Sequence, residues 1–390
     1  MTTLDNIPTP DPLAQQHSDQ LLALIMQKIA AANGKISFAD YMECCLYEPG
    51  LGYYSAGSYK LGAQGDFTTA PETSSLFSRS LANHIEDVFT QIESNNILEF
   101  GAGSGTMAIE LLKELETRNT LPSYYFIIEA SADLQQRQEI AINKMIPHLK
   151  DKVIWLQSLP DNFTGVIVAN EVCDAMPVHC LHFANGLVKE RYIGQVDGKL
   201  SWLEDEISSP KLLEYCASIA PLIGNYELFT EVNLASQAWL ASLADSLQQG
   251  AIFIIDYGHS QASYYHPQRE KGTLMCYYQH QAHDNPLILP GLQDITAHVD
   301  FSSLAQTALD HNLDVEGFQS QADFLLAGGL TDLIPDQSQC DELSYLQYTT
   351  EIKQLTHPSA MGETFKALTL SRKLKDVLTR SQHSDRRYSL

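Results

Sequence analysis

Several stretches of this sequence set chemically capable residues at telling intervals. Glu99 stands two positions before three glycines at alternate places, Gly101, Gly103 and Gly105. Glycines spaced this way let the chain turn sharply and let a ligand approach the main chain. A helix predicted over 106–116 follows, and its first turn offers free N–H groups to a polar ligand. Further along come Glu129, the pair Asn170-Glu171 with Asp174 behind it, and Asp256 followed by Tyr257. Asp66 and Glu72 frame a loop rich in glycine and threonine upstream of all of these. Carboxylates can accept hydrogen bonds from sugar hydroxyls, hold a cation, or take up a proton.

Alternating apolar stretches indicate the elements that position these residues. Strands are predicted over 97–100, 124–129, 153–156, 165–169, 251–256, 313–319 and 365–371, with helices between most of them. That alternation predicts a doubly wound, seven-stranded α/β sheet. Two interruptions stand out. Residues 178–203 read as a β-meander with hairpin turns at Asn185-Gly186 and Asp197-Gly198. Residues 263–300 hold Tyr264, Tyr265, Tyr277 and Tyr278, which either line a cleft or sit half-buried in a lid. The expected organisation is a disordered lead-in (1–17) and a helical and loop region (18–94). The first part of the core (95–177) and an inserted β-meander lobe (178–227) come next. The core then resumes (228–258), before an inserted loop lobe (259–300), the end of the core with a helical insert (301–378) and a frayed tail (379–390).

In an open α/β sheet, ligands bind beyond the carboxyl ends of the strands. Here those ends carry Gly101, Gly103 and Gly105, then Glu129, then Asn170 and Glu171, then Asp256, and no Lys or Arg. An acid at Glu99 suits a phosphate-free, cationic cofactor better than a pyrophosphate. S-adenosyl-L-methionine (SAM) is therefore the expected cofactor, held by Glu99, Gly101, Gly103, Gly105, Glu129 and Asn170. A nicotinamide dinucleotide is the alternative, because the glycine loop by itself separates the two poorly. Methyl transfer is an in-line displacement, so the protein chiefly aligns the partners and excludes water. A guanidinium acceptor would need carboxylates to hold it. Asp66, Glu72, Glu171, Asp174, Glu231, Asp256, Asp294 and Asp300 are candidates, with Glu171, Asn170, Asp256 and Asp66 as the expected catalytic set. His280, His283 and His298 with Glu171 and Asp256 were weighed as metal ligands, but only His280 and His283 are closely spaced, and no metal is expected. No Gly-x-Ser-x-Gly turn occurs, and Cys173 lies in an apolar run.

Composition narrows the classes of partner. The 390 residues carry a formal charge of −24, which argues against nucleic acid and favours a cationic substrate or basic protein surface. Seven cysteines without a Cys-x-x-Cys pair suggest a reducing compartment. No apolar run reaches membrane-spanning length, so no membrane insertion is expected. The first residues resemble neither a signal peptide nor a mitochondrial presequence, so a cytoplasmic location is expected.

Taken together, the motifs resemble the MidA-like family of SAM-dependent methyltransferases, the family of a mitochondrial complex I assembly factor. The resemblance is carried by Gly65-Asp-Phe-Thr-Thr-Ala-Pro-Glu72, the glycine loop, Asn170-Glu171 with Asp174-Ala-Met-Pro-Val178, Ile255-Asp-Tyr-Gly258, Asp294-Ile-Thr-Ala-His-Val-Asp-Phe301 and Met361-Gly-Glu-Thr-Phe-Lys366. It implies a class I, Rossmann-like methyltransferase core with inserted lobes, cofactor contacts at Gly101, Gly103 and Glu129, and an acceptor-side role for Asn170 and Glu171. It further implies methylation of a protein, on arginine of a respiratory-complex-type partner. Ala102 and Ser104 depart from the Gly-Pro-Gly-Arg-Gly form common in the family, while every glycine is kept. A bacterial-type member and a homodimer are the matching expectations. The alternative within this resemblance is an assembly chaperone that binds SAM without turnover.

Overall fold

The computed structural model describes residues 7–56, 69–334 and 341–390. Besides a two-residue strand, Val299–Asp300, that pairs with Gly258 and His259, its central sheet has seven strands among the described residues. These are β1 (Ile97–Phe100), β2 (Tyr125–Ile128), β3 (Val153–Leu156), β4 (Phe163–Asn170), β5 (Leu247–His259), β6 (Asp314–Ser320) and β7 (Phe365–Arg372). Their spatial order is β6-β7-β5-β4-β1-β2-β3. All are parallel except β7, which runs antiparallel to both its neighbours. The order reverses between β1 and β4, and the ends of these two strands open the crevice where such sheets take ligands.

Burial on both faces explains why β4 and β5 read as unbroken apolar runs. Val166, Val168, Phe253 and Ile255 pack on one helical layer, formed by α3 (Ser75–Phe89) and α4 (Thr106–Thr117). Ile167, Ala169, Ile252 and Ile254 pack on the other, with α6 (Leu234–Ser246) and α7 (Phe301–Asp310). Helices α1 (Pro12–Ala31) and α2 (Phe38–Tyr47) at the N-terminus pack in a cluster of their own, and α5 (Ala132–Met145) after β2 joins the first layer. A further helix, α8 (Glu342–Thr356), precedes β7.

The inserted lobe is larger than the sequence suggests. The meander strands His179–Ala184, Leu187–Val196 and Lys199–Asp205 are joined by Lys35–Ser37 and Leu228–Val232 in one antiparallel sheet. Segment 228–258 therefore divides, with its first strand in the lobe and both α6 and β5 in the core. Both hairpin turns have positive φ at their two central residues, as their Asn-Gly and Asp-Gly sequences require. Residues 259–300, expected as a loop lobe, contain a small antiparallel sheet of Met275–Tyr278, Gln281–His283 and Asp294–Thr296.

Both chain ends are more ordered than expected. Helix α1 begins at Pro12, not Ser18, because Asp11 caps it by accepting from the N–H groups of Leu13 and Ala14. The tail is docked, not frayed. Arg386 pairs with Asp323 and Glu363, Arg380 pairs with Asp87, and Leu378 and Ser381 are buried.

Candidate active site

The glycine loop leaves β1 with φ of 63°, 54° and 82° at Gly101, Gly103 and Gly105, a region that favours glycine. Gly105 ends the turn as the N-cap of α4. The loop is held from the side. Buried Gln138 on α5 donates through Nε2 to the Gly103 carbonyl at 3.0 Å and to Glu129 Oε2 at 2.9 Å. Its Oε1 accepts from Trp155 Nε1 at 2.9 Å. Glu129 Oε1 accepts from the Ser131 N–H at 3.0 Å. Each carboxylate oxygen keeps a lone pair for a further donor, which suits two adjacent hydroxyls. Burial holds the Glu129 carboxyl above the usual carboxylate range.

Glu99 lies behind the loop, 1% exposed, with Tyr125 OH donating to its Oε2 at 2.7 Å. Burial pushes its pKa up to about 8. With Glu72 and Asn170 it lines a small recess of about 40 Å³. Glu72 Oε2 and Asn170 Oδ1 are buried there without a partner among the described residues. Three acceptors around one recess call for a donor such as water or an ammonium group.

In front of the loop opens a cavity of about 520 Å³. One wall is the core: Gly101, Gly103, Glu129, Asn170, Glu171 and Asp174. The facing wall comes from outside it. Tyr47 and Tyr54 lie at and beyond the end of α2, and Met275, Tyr277, Asp294, Thr296 and His298 come from the second insertion. Gln354, Met361 and Phe365 close the side. None of the described lining residues is Lys or Arg.

Glu171 has φ 53°, a strained value for a non-glycine residue. Its N–H donates to the Ile255 carbonyl at 2.9 Å, and its Oε1 accepts from Asn170 Nδ2 at 3.1 Å and Ala70 N–H at 3.3 Å. Burial, then the neighbouring Asp174 charge, raise its pKa to about 8. Asp174 accepts from Tyr257 OH, while its Oδ1 is buried without a partner among the described residues. Asp294 accepts from Tyr54 OH at 3.0 Å, and Tyr54 stacks on Tyr47 with ring centroids 5.6 Å apart.

Other predicted residues are placed elsewhere. Asp256 does not line the cavity. It is fully buried and accepts from the N–H groups of Cys173, Asp174 and Tyr257, fixing the turn that carries Glu171 and Asp174. Its short side chain points back under the strand ends, so it positions the site and does not face a ligand. Asp300 caps α7, and Glu231 anchors Thr273 and Tyr264. Tyr264 and Tyr265 are core residues of the lobe, while Tyr277 reaches the cavity. Asp66 lies outside the described residues. No cluster of metal ligands occurs among the described residues. Sequence reasoning missed Gln138: the helix predicted over 131–143 reads as rich in Glu, Gln and Arg on an exposed face, whereas Gln138 is buried. The glycine- and tyrosine-rich stretch around Tyr47 and Tyr54 is too irregular to place from its pattern, and His298 enters the sequence reading only as a possible metal ligand.

Residues 80–319 match a family described as S-adenosyl-L-methionine-dependent methyltransferase. A Burkholderia thailandensis protein crystallised bound to S-adenosyl-homocysteine (SAH) is 36% identical, with a TM-score of 0.93, covering 99% of this chain and 100% of its own. A mitochondrial protein named as a protein arginine methyltransferase NDUFAF7 homolog, from Drosophila melanogaster, is 26% identical over 377 residues. That match covers 87% of this chain and 82% of the relative. The mouse protein arginine methyltransferase NDUFAF7, also mitochondrial, is 29% identical over 332 residues, covering 76% and 72%. The cofactor class is accordingly SAM, and the groups present fit it: Glu129 can accept from hydroxyls, the oxygens behind the loop can accept from an ammonium, and no Lys or Arg lines the cavity among the described residues. The mitochondrial names of the curated relatives overturn the cytoplasmic location expected from the N-terminus. Among the described residues no helix is long and apolar enough to cross a membrane.

Proposed function

The chain belongs to the family of S-adenosyl-L-methionine-dependent methyltransferases, and from that premise we propose that it methylates a nitrogen of a cationic protein side chain, arginine foremost. The observation that carries this reading is the acceptor half of the cavity. Glu171, Asp174 and Asp294 face it together with four tyrosines, Tyr47, Tyr54, Tyr257 and Tyr277. Such walls receive a planar cation by carboxylate hydrogen bonds and by contact with aromatic faces. The arginine methyltransferase names of the relatives support the same acceptor.

When bound, SAM supplies an electrophilic methyl group on a sulfonium. The residues of the chain do the rest. Glu129 and the loop orient the adenosine end, and Asn170 with Glu171 stands between cofactor and acceptor. Glu171 and Asp174 would hold the attacking nitrogen in line and take the proton it sheds as the methyl carbon exchanges its bond to sulfur for one to nitrogen, leaving the sulfur as a neutral thioether. Arrival of a cation favours their ionised forms, which burial otherwise opposes. Tyr47, Tyr54 and Met275 exclude water from the transfer.

The test is transfer from methyl-labelled SAM into proteins of a cell lysate, followed by mass spectrometry of the modified residue. Label on arginine supports the proposal. Label confined to small molecules, or to carboxylate or thiol side chains, contradicts it.

A further inference from the structure

We propose that His298 is a fixed hydrogen-bond donor of the acceptor chamber, holding a carbonyl oxygen of the polypeptide that is methylated. The inference rests on the reading that the acceptor is a protein, and it follows from a chain of three side chains behind the cavity wall. A guanidinium has only donors, and Arg269 Nη2 lies 3.3 Å from His259 Nδ1, so that nitrogen accepts. A neutral His259 then carries its proton on Nε2. His259 Nε2 lies 3.0 Å from His298 Nδ1, so His298 accepts there and carries its own proton on Nε2.

His298 Nε2 makes no hydrogen bond among the described residues, and the ring lines the cavity edge-on to Tyr257, with centroids 5.2 Å apart at 77°. The backbone N–H of His298 donates to Thr273 Oγ1 at 3.1 Å, which fixes the residue's position. Burial, then the positive charges of Arg269 and Lys366, push His298 down to about 4. Burial, Arg269, His298 and Lys366 push His259 down to about 3. Both rings stay neutral at working pH, and His298 has no free lone pair with which to act as a base. It offers one N–H donor in a cavity whose acidic lining residues, Glu129, Glu171, Asp174 and Asp294, are acceptors when ionised. The complement of that donor is an oxygen. A cationic side chain engages the carboxylates, and the neutral oxygen it brings with it is a main-chain carbonyl. The carboxylate of the cofactor is the other source of the same chemistry.

Two measurements on the full chain test this. Imidazole ¹⁵N NMR of the SAH complex is expected to show His259 and His298 as neutral Nε2–H tautomers at pH 6. A proton on Nδ1 of His298, or a charged ring, overturns the proposal. Methyl transfer is then followed against total lysate protein as acceptor. His298→Phe should raise the half-saturating protein concentration about 5- to 10-fold, the loss of one neutral hydrogen bond, with maximal rate and SAH affinity unchanged. His298→Gln, which keeps an N–H donor, should recover most of that loss. A fall in SAH affinity in His298→Phe would assign the oxygen to the cofactor instead. Equal losses in both variants would reduce His298 to packing. No protein labelling by the unaltered chain would defeat the protein-acceptor reading and the carbonyl assignment together, while the tautomer result would still stand or fall by NMR.

Discussion

The two halves of the cavity are built differently. The cofactor half comes from the core: the ends of β1, β2 and β4 and the start of α4, with Gln138 bracing loop and acid together. The acceptor half is assembled from three separate stretches, around residues 47–54, 275–298 and 354–365, laid against that core. One half is fixed by strand order and local turn chemistry. The other depends on contacts between residues far apart in the chain, such as Tyr54 with Asp294, 240 positions away, and Tyr257 with Asp174, 83 positions away. The cofactor half can thus be shared by many chemistries, while acceptor choice is left to inserted segments.

Variants should separate the halves, and the largest effect should fall in the cofactor half. Gly103→Val places a β-branched side chain at φ 54° on the cavity wall and should weaken SAH binding at least ~100-fold by calorimetry. Retained affinity would misplace the cofactor. Glu171→Gln should act on the other half, lowering kcat by roughly 10²- to 10³-fold while SAH affinity stays within about threefold. A parallel loss of SAH binding would erase the distinction between the halves.

The pH dependence has opposite consequences for rate and stability. Glu171 works as a carboxylate, and its pKa lies up near about 8. Methyl transfer at low acceptor concentration should therefore rise with pH and level off above that value. Glu99 is raised from 4.5 to about 8. The fold thus favours its protonated form, and the resulting stabilisation is fully present below about 4.5 and lost as pH rises through about 8. In Glu99→Gln without cofactor, thermal stability relative to the unaltered chain should improve between pH 5 and pH 8.5. An unchanged difference across that range would mean that Glu99 does not titrate there. The smallest effect is expected from Tyr54→Phe, which removes one donor to Asp294. It should change acceptor half-saturation by about 3- to 10-fold and leave SAH affinity unaltered.

The same division governs what could be read from the sequence. Strands β1 and β3 follow from local pattern, and structure and reading agree on them. Gly101, Gly103, Gly105 and Glu129 were readable because a strand end, a glycine turn and a helix start are consecutive in the chain. Asp256 was misread as a ligand group because a strand-end acid looks the same whether it faces a cavity or caps three backbone N–H groups. Tyr54 and His298 gained meaning only when the fold brought the second insertion over the core. Leu228–Val232 was assigned to the wrong sheet for the same reason: its apolar pattern fits either one.

The central claim is that one cavity takes SAM at the glycine loop and Glu129, and a cationic side chain between Glu171 and Asp174 and the inserted wall. A crystal structure of the chain with SAH and an arginine-containing peptide tests it most directly. The account predicts ribose hydroxyls on the Glu129 carboxylate and the guanidinium within hydrogen-bond distance of Glu171 or Asp174. A guanidinium bound outside the cavity, or excluded from it while SAH is in place, would contradict it.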